Sequence, residues 1–463
     1  MVSILVSNWG DPRAWENVIY KIDGRPYPTP TKSSLPIILS HTSPKPEKVF
    51  IIVLDTIVKH DVSSYKDLKD SVMAYYQEFL RSLDLDVSVE IIVAPGVGKF
   101  RLNDESYAEF RGFLTDFQAY VTFEIVRRIL ELGGNDLIIH LDLTHGVNFM
   151  PSLTYSIMCD VLGAFAIAKR VHLKVYNAEP YIRGVTTELN IHTVEDREFQ
   201  PYIKNEALPF VSRLLEPGII PEREKVEVKN TLYSMRLNEK NVNELNAFLS
   251  SLANGLPLAY YTFYPEVDSL ELLLSNAEKL WTWQVKVYQT QTDILYKEAY
   301  QTSAEERLVE KKMVVERRIR FRNEFTRCAT IWAIAKALNH KRRDEVKLNE
   351  LKELRQRVFS KWTKLNSMIS YDLEDVEKIV QKCGLPLHTW VRLGEVSEEY
   401  YSKPRENILF RNFLAHSGLE KTLTYVKRQG KETLLCYDPK KREIVLRASL
   451  RGLYRASVEK PQI

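Results

Sequence analysis

The chain has 463 residues, 44% of them hydrophobic and 11% aromatic, which is enough material for two to four packed domains. Its formal net charge of +4 is too small to indicate a nucleic-acid-binding protein by itself. The four cysteines form no C-x-x-C pair, which argues against a zinc or redox site. No signal-peptide pattern is present, and the apolar runs stop short of the roughly 18 residues of a membrane span. We therefore expect a reduced, soluble, cytoplasmic protein.

The first 195 residues alternate between strand-like and helix-like segments. This alternation predicts an α/β, Rossmann-like domain with a parallel, doubly wound sheet. Continuous apolar runs such as FIIVL fit strands that are covered on both faces. The predicted strands are Ser3–Ser7, Val49–Asp55, Val87–Ala94, Asp136–Leu143, His172–Asn177 and Thr187–Thr193. The predicted helices are Tyr65–Leu83, Tyr107–Leu132 and a segment that ends near Ala168.

The rest of the chain divides into a proline-rich module and a helical region. Residues 196–269 contain several prolines and predict a small linker module with some helix–turn–helix content. Residues 270–463 predict an all-α bundle, because their long charged segments contain few glycines or prolines. The predicted helices there are Leu270–Ala299, Ala304–Leu338 and Lys347–Cys383. The basic run Glu316–Arg327 is interpreted as a solvated helix face, and a hairpin is predicted from Thr433–Tyr437 and Glu443–Leu446.

Two polar loops follow predicted strands in the first domain. The segment DLTHGVN changes sharply from strand to helix, and SNWGD follows the first strand. Ligands of open α/β sheets bind beyond the carboxyl ends of strands, and a helix N-terminus there suits phosphate groups. Ordinary turns contain the same residue types, so composition leaves both interpretations open. The candidate nucleotide contacts are Ser7, Asn8, Trp9 (as an aromatic platform), Thr144, His145, Gly146 and Asn148.

A second constellation, RNFLAH, lies on a helix predicted to begin near Pro404 and to end at Gly418. At about 100° per residue, one face carries Phe410, Phe413, Leu414 and Ser417, and the other carries Arg411, Asn412, Ala415 and His416. RNA supplies its own nucleophile, the 2′-hydroxyl, so a histidine for proton transfer and an arginine for charge stabilisation are sufficient. One protomer offers a single such histidine, which predicts a two-fold dimer. The Arg–His spacing alone favours a solvated helix face over a catalytic pair.

The two motifs in this order resemble those of the CARF–HEPN ribonucleases of type III CRISPR systems. DLTHGVN after a central strand matches the CARF ligand loop, and RNFLAH in a helical C-terminal region matches the HEPN catalytic motif. The resemblance covers residues 1–195 as the CARF-like sensor and 270–463 as the HEPN-like ribonuclease. It does not extend to residues 196–269.

The resemblance implies a dimeric sensor that binds a cyclic oligoadenylate across its two-fold axis, with cyclic tetra-adenylate the commonest ligand. It implies that this ligand activates cleavage of single-stranded RNA without a metal cofactor, in antiviral defence. Arg411, His416 and Asn412 then match the catalytic positions. Thr144, His145, Gly146 and Asn148 match the ligand loop, and Ser7, Asn8 and Trp9 match it by position alone.

Two other functions remain open from the sequence. The first is a nucleotide-sensing regulator whose residues 196–269 bind DNA. The second is a ring nuclease that degrades its own activator in the sensor pocket. The ring size of the ligand, the RNA sequence preference and assembly beyond a dimer are not determined by the sequence.

Overall fold

The computed structural model describes residues 1–58, 60–103, 106–203, 206–209, 212–295, 307–382, 388–396 and 406–458. An eight-stranded sheet forms the centre of the first 200 residues, with two neighbouring strands in a separate hairpin. The strands are β1 (Val2–Trp9), β2 (Ile19–Ile22), β3 (Arg25–Pro26), β4 (Lys48–Leu54), β5 (Ser88–Ala94), β6 (Gly98–Asn103), β7 (Ser106–Arg111), β8 (Asp136–Asp142), β9 (Arg170–Ala178) and β10 (Glu188–Glu198). The helices are α1 (Leu35–His41), α2 (Tyr65–Arg81), α3 (Leu114–Leu132) and α4 (Met150–Ala168).

The strand order of the large sheet is β3-β2-β10-β9-β8-β1-β4-β5. The five strands from β9 to β5 run parallel, as the alternation of strands and helices predicts. The apolar run of β4 is covered on both faces, because Phe50, Ile51 and Ile52 have no exposed surface. β10 is antiparallel to β9. The carboxyl ends of β1 and β8 therefore lie side by side at one edge.

Helix α4 is the most apolar helix of this part. Its length and hydropathy alone would suffice to cross a membrane, yet 61% of its apolar window is buried inside the protein. It packs against α3 and β9, and also against a helix from later in the chain. These contacts identify α4 as a core helix.

The middle of the chain mixes helices with strands. Its strands are β11 (Ser212–Arg213), β12 (Leu215–Pro217), β13 (Arg236–Leu237), β14 (Val285–Leu295), β15 (Arg307–Arg317) and β16 (Ile319–Phe321). Its helices are α5 (Glu222–Leu232), α6 (Glu239–Asn254), α7 (Pro257–Thr262), α8 (Val267–Trp283) and α9 (Asn323–Leu338). Helix α9 is the later helix that packs on α3 and α4. The middle of the chain is therefore packed against the N-terminal α/β part and is not a free linker between two domains.

Strands occupy part of three of the predicted helices. The ranges predicted as Leu270–Ala299 and Ala304–Leu338 contain β14 and β15, and β7 occupies the start of the helix predicted from Tyr107. β14 pairs antiparallel with β15, which pairs parallel with β7. Segments such as VKVYQTQT and MVVER alternate with a period of two and are rich in β-branched residues, which favours strands. The absence of glycine and proline suggested helices, and long-range pairing overrode that signal.

The basic run Glu316–Arg327 is also not a solvated helix face. Arg317 ends β15 with no exposed side-chain surface and pairs with Asp55, which follows β4, at 2.6 Å. Tyr65 donates a hydrogen bond to the same carboxylate at 3.0 Å. This buried pair connects the end of β15 to the eight-stranded sheet.

The C-terminal region combines helices with a small antiparallel sheet. Its strands are β17 (Val346–Lys347), β18 (Val391–Arg392), β19 (Thr424–Gln429) and β20 (Glu432–Tyr437). Its helices are α10 (Leu348–Arg357), α11 (Thr363–Lys382), α12 (Leu393–Val396), α13 (Glu406–Ala415) and α14 (Arg442–Val458). The predicted hairpin is wrong in its second strand, because 443–446 belong to α14 and β20 pairs with β19. The single helix predicted from Lys347 is split into α10 and α11, and Cys383 lies outside the described residues.

The predicted helix–turn–helix content of residues 196–269 is represented by α5 and α6. Helix α6 is not available as a DNA-reading helix, because much of it is buried against α7 and α14. Ser250 on α6 donates a hydrogen bond to the carbonyl of Ser449 at 2.5 Å. This region therefore belongs to the packed helical core.

Candidate functional site

The loops after β1 and β8 are joined through one buried carboxylate. Asp142, the last residue of β8, accepts hydrogen bonds from the hydroxyls of Ser7 at 3.1 Å and Ser34 at 2.8 Å. Its other oxygen accepts from the backbone N–H of Thr144 at 3.0 Å. The structure thus brings the two predicted ligand loops together. Asp142 and Ser34 were not singled out from the sequence, although the aspartate begins the DLTHGVN segment.

Gly146 is where the two loops approach most closely. A Cβ atom there would lie 1.8 Å from Asn8 Oδ1 and 2.7 Å from Pro151 Cγ. The backbone N–H of Gly10 also donates to the carbonyl of His145 at 2.8 Å. Only glycine fits this crossing. The Asn8 amide is buried, and neither of its polar atoms has a hydrogen-bond partner among the described residues.

Trp9 and His145 are placed differently from the sequence interpretation. Trp9 has no exposed surface and contacts Trp15 edge-on, so it does not present a platform to a ligand. The His145 ring stacks on Trp15 with centroids 4.0 Å apart, and its Nε2 accepts from the Ser34 N–H at 3.1 Å. Burial lowers the pKa of His145 to about 4, so the ring is neutral at physiological pH. Trp15 was missed, because it follows the strand end by six residues.

The exposed tip of the loop is formed by Val147 and Asn148. Asn148 adopts a left-handed conformation with φ of 50°, which asparagine tolerates better than most residues. Thr144 accepts a hydrogen bond from the backbone N–H of Ala178 at 3.2 Å and so anchors the loop to β9. The surface open to a ligand at this edge therefore includes Gly146, Val147 and Asn148.

The second candidate site lies at the end of α13. Phe410 and Phe413 are buried, as is Ser417 in the turn that follows the helix, whereas Arg411 and His416 are exposed. The predicted partition of the helix into two faces is therefore confirmed. The predicted start at Pro404 lies outside the described residues.

A tight reversal ends the helix and holds His416 at its rim. Ser417 and Gly418 have φ of 49° and 75°, and the Gly418 N–H donates to the Phe413 carbonyl at 2.8 Å. The Gly418 carbonyl accepts from the Tyr437 hydroxyl at 2.9 Å. The glycine predicted to end the helix therefore does so. His416 itself lies one residue beyond the helix, with its backbone N–H on the Asn412 carbonyl at 2.9 Å.

A buried carboxylate from another helix faces the histidine. Asp372 on α11 places Oδ1 3.5 Å from His416 Nδ1, and its Oδ2 accepts from the Ser417 hydroxyl at 2.6 Å. This carboxylate raises the pKa of His416 above its ordinary value, and nearby Lys421 opposes the effect. The imidazole thus has one nitrogen held toward Asp372 and the other directed away from it. Asp372 could not be paired with RNFLAH from spacing alone.

Arg411 and Asn412 lie on α13, five and four residues before His416. Arg411 is exposed, and no hydrogen bond or ion pair engages its guanidinium within the described part of the chain. Asn412 is half-buried one residue further on. The arrangement provides a titratable imidazole, a carboxylate behind it and a guanidinium available to an anion.

Comparison with known proteins agrees with this architecture. The protein-family model described as the CARF domain of CRISPR system endoribonuclease Csx1 matches residues 4–180. The family model described as the HEPN domain of the same endoribonuclease matches residues 344–441. The CRISPR system endoribonuclease Csx1 of Methanocaldococcus jannaschii is 30% identical over 440 residues. That alignment covers 92% of this chain and 87% of the relative.

The fold and the two matched domains define a CARF–HEPN ribonuclease of CRISPR systems. The predicted two-domain layout, a Rossmann-like N-terminal domain and a helical C-terminal region that carries RNFLAH, is therefore confirmed. The chain belongs to the Csx1 family of CRISPR system endoribonucleases. The roles of the individual loop and helix residues, and the boundaries at 195 and 269, stay predictions.

Proposed function

We propose that this chain is a cytoplasmic endoribonuclease of type III CRISPR defence that cleaves single-stranded RNA when its sensor domain binds a cyclic oligoadenylate. The observation that carries the proposal is the exposed His416, whose ring faces the buried Asp372 and which follows the exposed Arg411 by five residues at the end of α13. The joined loops of β1 and β8 are the proposed ligand site, and cyclic tetra-adenylate is the proposed ligand. No metal cofactor takes part in the proposed cleavage.

The proposed chemistry uses the 2′-hydroxyl of RNA as nucleophile. An imidazole removes its proton, a second imidazole protonates the leaving 5′-oxygen, and the Arg411 guanidinium stabilises the charge of the pentacoordinate phosphate. Asn412 would orient the phosphate. Asp372 acts as a positioning residue, because it holds Nδ1 of His416 and leaves Nε2 for the substrate.

The need for two imidazoles supports a homodimer. Each protomer contributes one His416, so a two-fold axis near α13 would supply a base and an acid. An exposed apolar loop follows β9 and supports self-association of the sensor as well, because Tyr181, Ile182 and Val185 are 39%, 58% and 72% exposed. This loop is close in sequence to Ala178, which contacts Thr144 of the ligand loop.

The test is an RNA-degradation assay across cyclic oligoadenylates of different ring sizes, with EDTA present. We expect one ring size, cyclic tetra-adenylate, to stimulate cleavage of unstructured RNA. Stimulation only after Mg²⁺ or Mn²⁺ is added would contradict the metal-free mechanism. Analysis of the activator after the reaction distinguishes the two functions. A ring nuclease would convert the cyclic oligoadenylate to linear adenylate, whereas an enzyme that is only activated by it would leave it intact.

Asp372→Asn should move the pH dependence of cleavage. The carboxylate raises the pKa of His416, so its removal lowers that pKa toward the ordinary value. The limb of the pH–rate profile that His416 controls therefore moves to lower pH, whether the ring acts as acid or base. An NMR titration of His416 in both proteins checks the direction. A drop in rate with an unmoved profile would mean that Asp372 has only a structural role.

Gly146→Ala should weaken ligand binding. The added methyl would lie 1.8 Å from Asn8 Oδ1, so the loops of β1 and β8 must separate. We expect affinity for cyclic tetra-adenylate to fall at least about tenfold, a loss of about 1.4 kcal/mol of binding free energy. Isothermal titration calorimetry measures it. Val226→Ala, at a position of α5 that is 65% exposed and lies outside both loops, is the control, and equal affinities in the two variants would refute the placement of the site.

A further inference from the structure

One lysine of the nuclease region binds the end of a sensor helix. Lys361 lies in the turn between α10 and α11, and its ammonium donates to the carbonyls of Ala166 at 2.6 Å, Ile167 at 3.1 Å and Lys169 at 3.1 Å. These are carbonyls of the last turn and cap of α4, which a helix leaves without internal partners. A cation there also meets the negative end of the helix dipole.

The other end of α4 is the proposed ligand loop. The helix begins at Met150, whose N–H donates to the Val147 carbonyl at 3.0 Å, and Pro151 contacts the position of Gly146. Its 19 residues span about 28 Å at 1.5 Å per residue. Most of the helix is buried, so a shift at the loop displaces it as a rigid rod.

Lys361 is also directly connected to the catalytic side. Helix α11 begins two residues later at Thr363 and carries Asp372, which faces His416. Asp372 is nine residues into the helix, about 14 Å along its axis. One side chain thus links two helices, of which one starts at the ligand loop and the other holds the carboxylate of the nuclease site.

A second contact from the same turn strengthens this junction. Arg357, at the end of α10, donates to the carbonyl of Leu338 at 2.9 Å, the last residue of α9. Helix α9 packs on α3 and α4. Arg357 and Lys361 therefore bind the C-terminal ends of two neighbouring helices, α9 and α4. Because both residues immediately precede α11, a movement of α4 and α9 would move α11 as well.

We infer that Lys361 is a positioning residue that couples the ligand loop to the nuclease site, by fixing α11 and Asp372 to the C-terminal end of α4. The inference rests on the proposed function in naming the ligand. When the ligand shifts α4, the three hydrogen bonds require α11 to follow, and the change reaches His416 through Asp372. The junction between α4 and α11 must have an active and an inactive arrangement. The ligand controls the nuclease only if the sensor domain binds it more tightly in the active arrangement.

The test compares Lys361→Met with Lys364→Met in the full-length protein. Lys364 is exposed in the first turn of α11, so its variant removes a similar charge without touching α4. We expect Lys361→Met to reduce the ratio of ligand-stimulated to basal RNA cleavage by about 5- to 150-fold, the usual range of allosteric coupling. Binding of cyclic tetra-adenylate should persist, and Lys364→Met should behave as wild type. An unchanged ratio in Lys361→Met overturns the inference.

A second readout needs no ligand and separates this inference from the proposed function. If no cyclic oligoadenylate stimulates the wild type, the proposed activation fails, and the NMR titration of His416 decides the coupling. Release of α11 should lower the pKa of His416 in Lys361→Met but not in Lys364→Met. Equal titrations overturn the coupling. Lys361→Ala, which also removes the donor, replaces Lys361→Met if that protein does not fold, and the same criteria apply.

Discussion

His416→Ala should reduce ligand-stimulated RNA cleavage by about 10³-fold, because one imidazole supplies proton transfer at each step. Arg411→Ala should reduce it by about 10²- to 10³-fold, through loss of charge stabilisation. Both side chains are exposed, so the fold should be unaffected. The measurement is the single-turnover cleavage rate with cyclic tetra-adenylate saturating.

Arg428→Ala is the matched control for the arginine, since Arg428 is exposed on β19 and its guanidinium contacts only the Gly430 carbonyl among the described residues. Its rate should equal that of the wild type. Near wild-type cleavage by either Arg411→Ala or His416→Ala would disprove the catalytic assignment, and the solvated-face interpretation would stand.

Mixed dimers test whether two copies of His416 act together. Wild-type and His416→Ala chains are co-expressed in equal amounts with different tags, so that dimers assemble at random. If both copies are required, the mixture retains about a quarter of the wild-type activity, and if each protomer acts alone it retains about half.

Arg317→Met should produce the largest loss of stability. Arg317 and Asp55 have no exposed side-chain surface, and the substitution leaves a buried carboxylate without its cation. Breaking such a pair costs about 3–5 kcal/mol, which corresponds to a fall in melting temperature on the order of 10 °C. Scanning calorimetry measures the shift.

The control for this pair is Arg170→Met, because Arg170 is 63% exposed in its pair with Asp136. An exposed pair contributes at most about 1 kcal/mol. The double variant Asp55→Asn, Arg317→Met should lose less than the sum of the two single variants, since the buried charge is removed with its partner. Equal losses from Arg317→Met and Arg170→Met would show that the buried pair does not hold the two parts together.

The sequence by itself determined the parts of this protein that depend on neighbours along the chain. Apolar runs predicted the parallel strands β1, β4 and β8, and helical periodicity placed Arg411 and His416 on the exposed side. The resemblance of DLTHGVN and RNFLAH to a known family was confirmed by the two domain matches. These signals are local, because the hydrophobic periods of strands and helices and the residue preferences of turns are properties of segments of about ten residues.

The tertiary structure decided what depends on partners distant in the chain. Arg317 meets Asp55 across 262 residues, and β15 joins β7 against its helical appearance. Trp9, which the sequence predicted to be an aromatic platform for a ligand, is buried, and its ring contacts Trp15 and Phe79. Asp372 reaches the turn after α13 from 45 residues before Ser417. No local pattern encodes such pairs, since burial and long-range pairing are set by the packing of the whole chain.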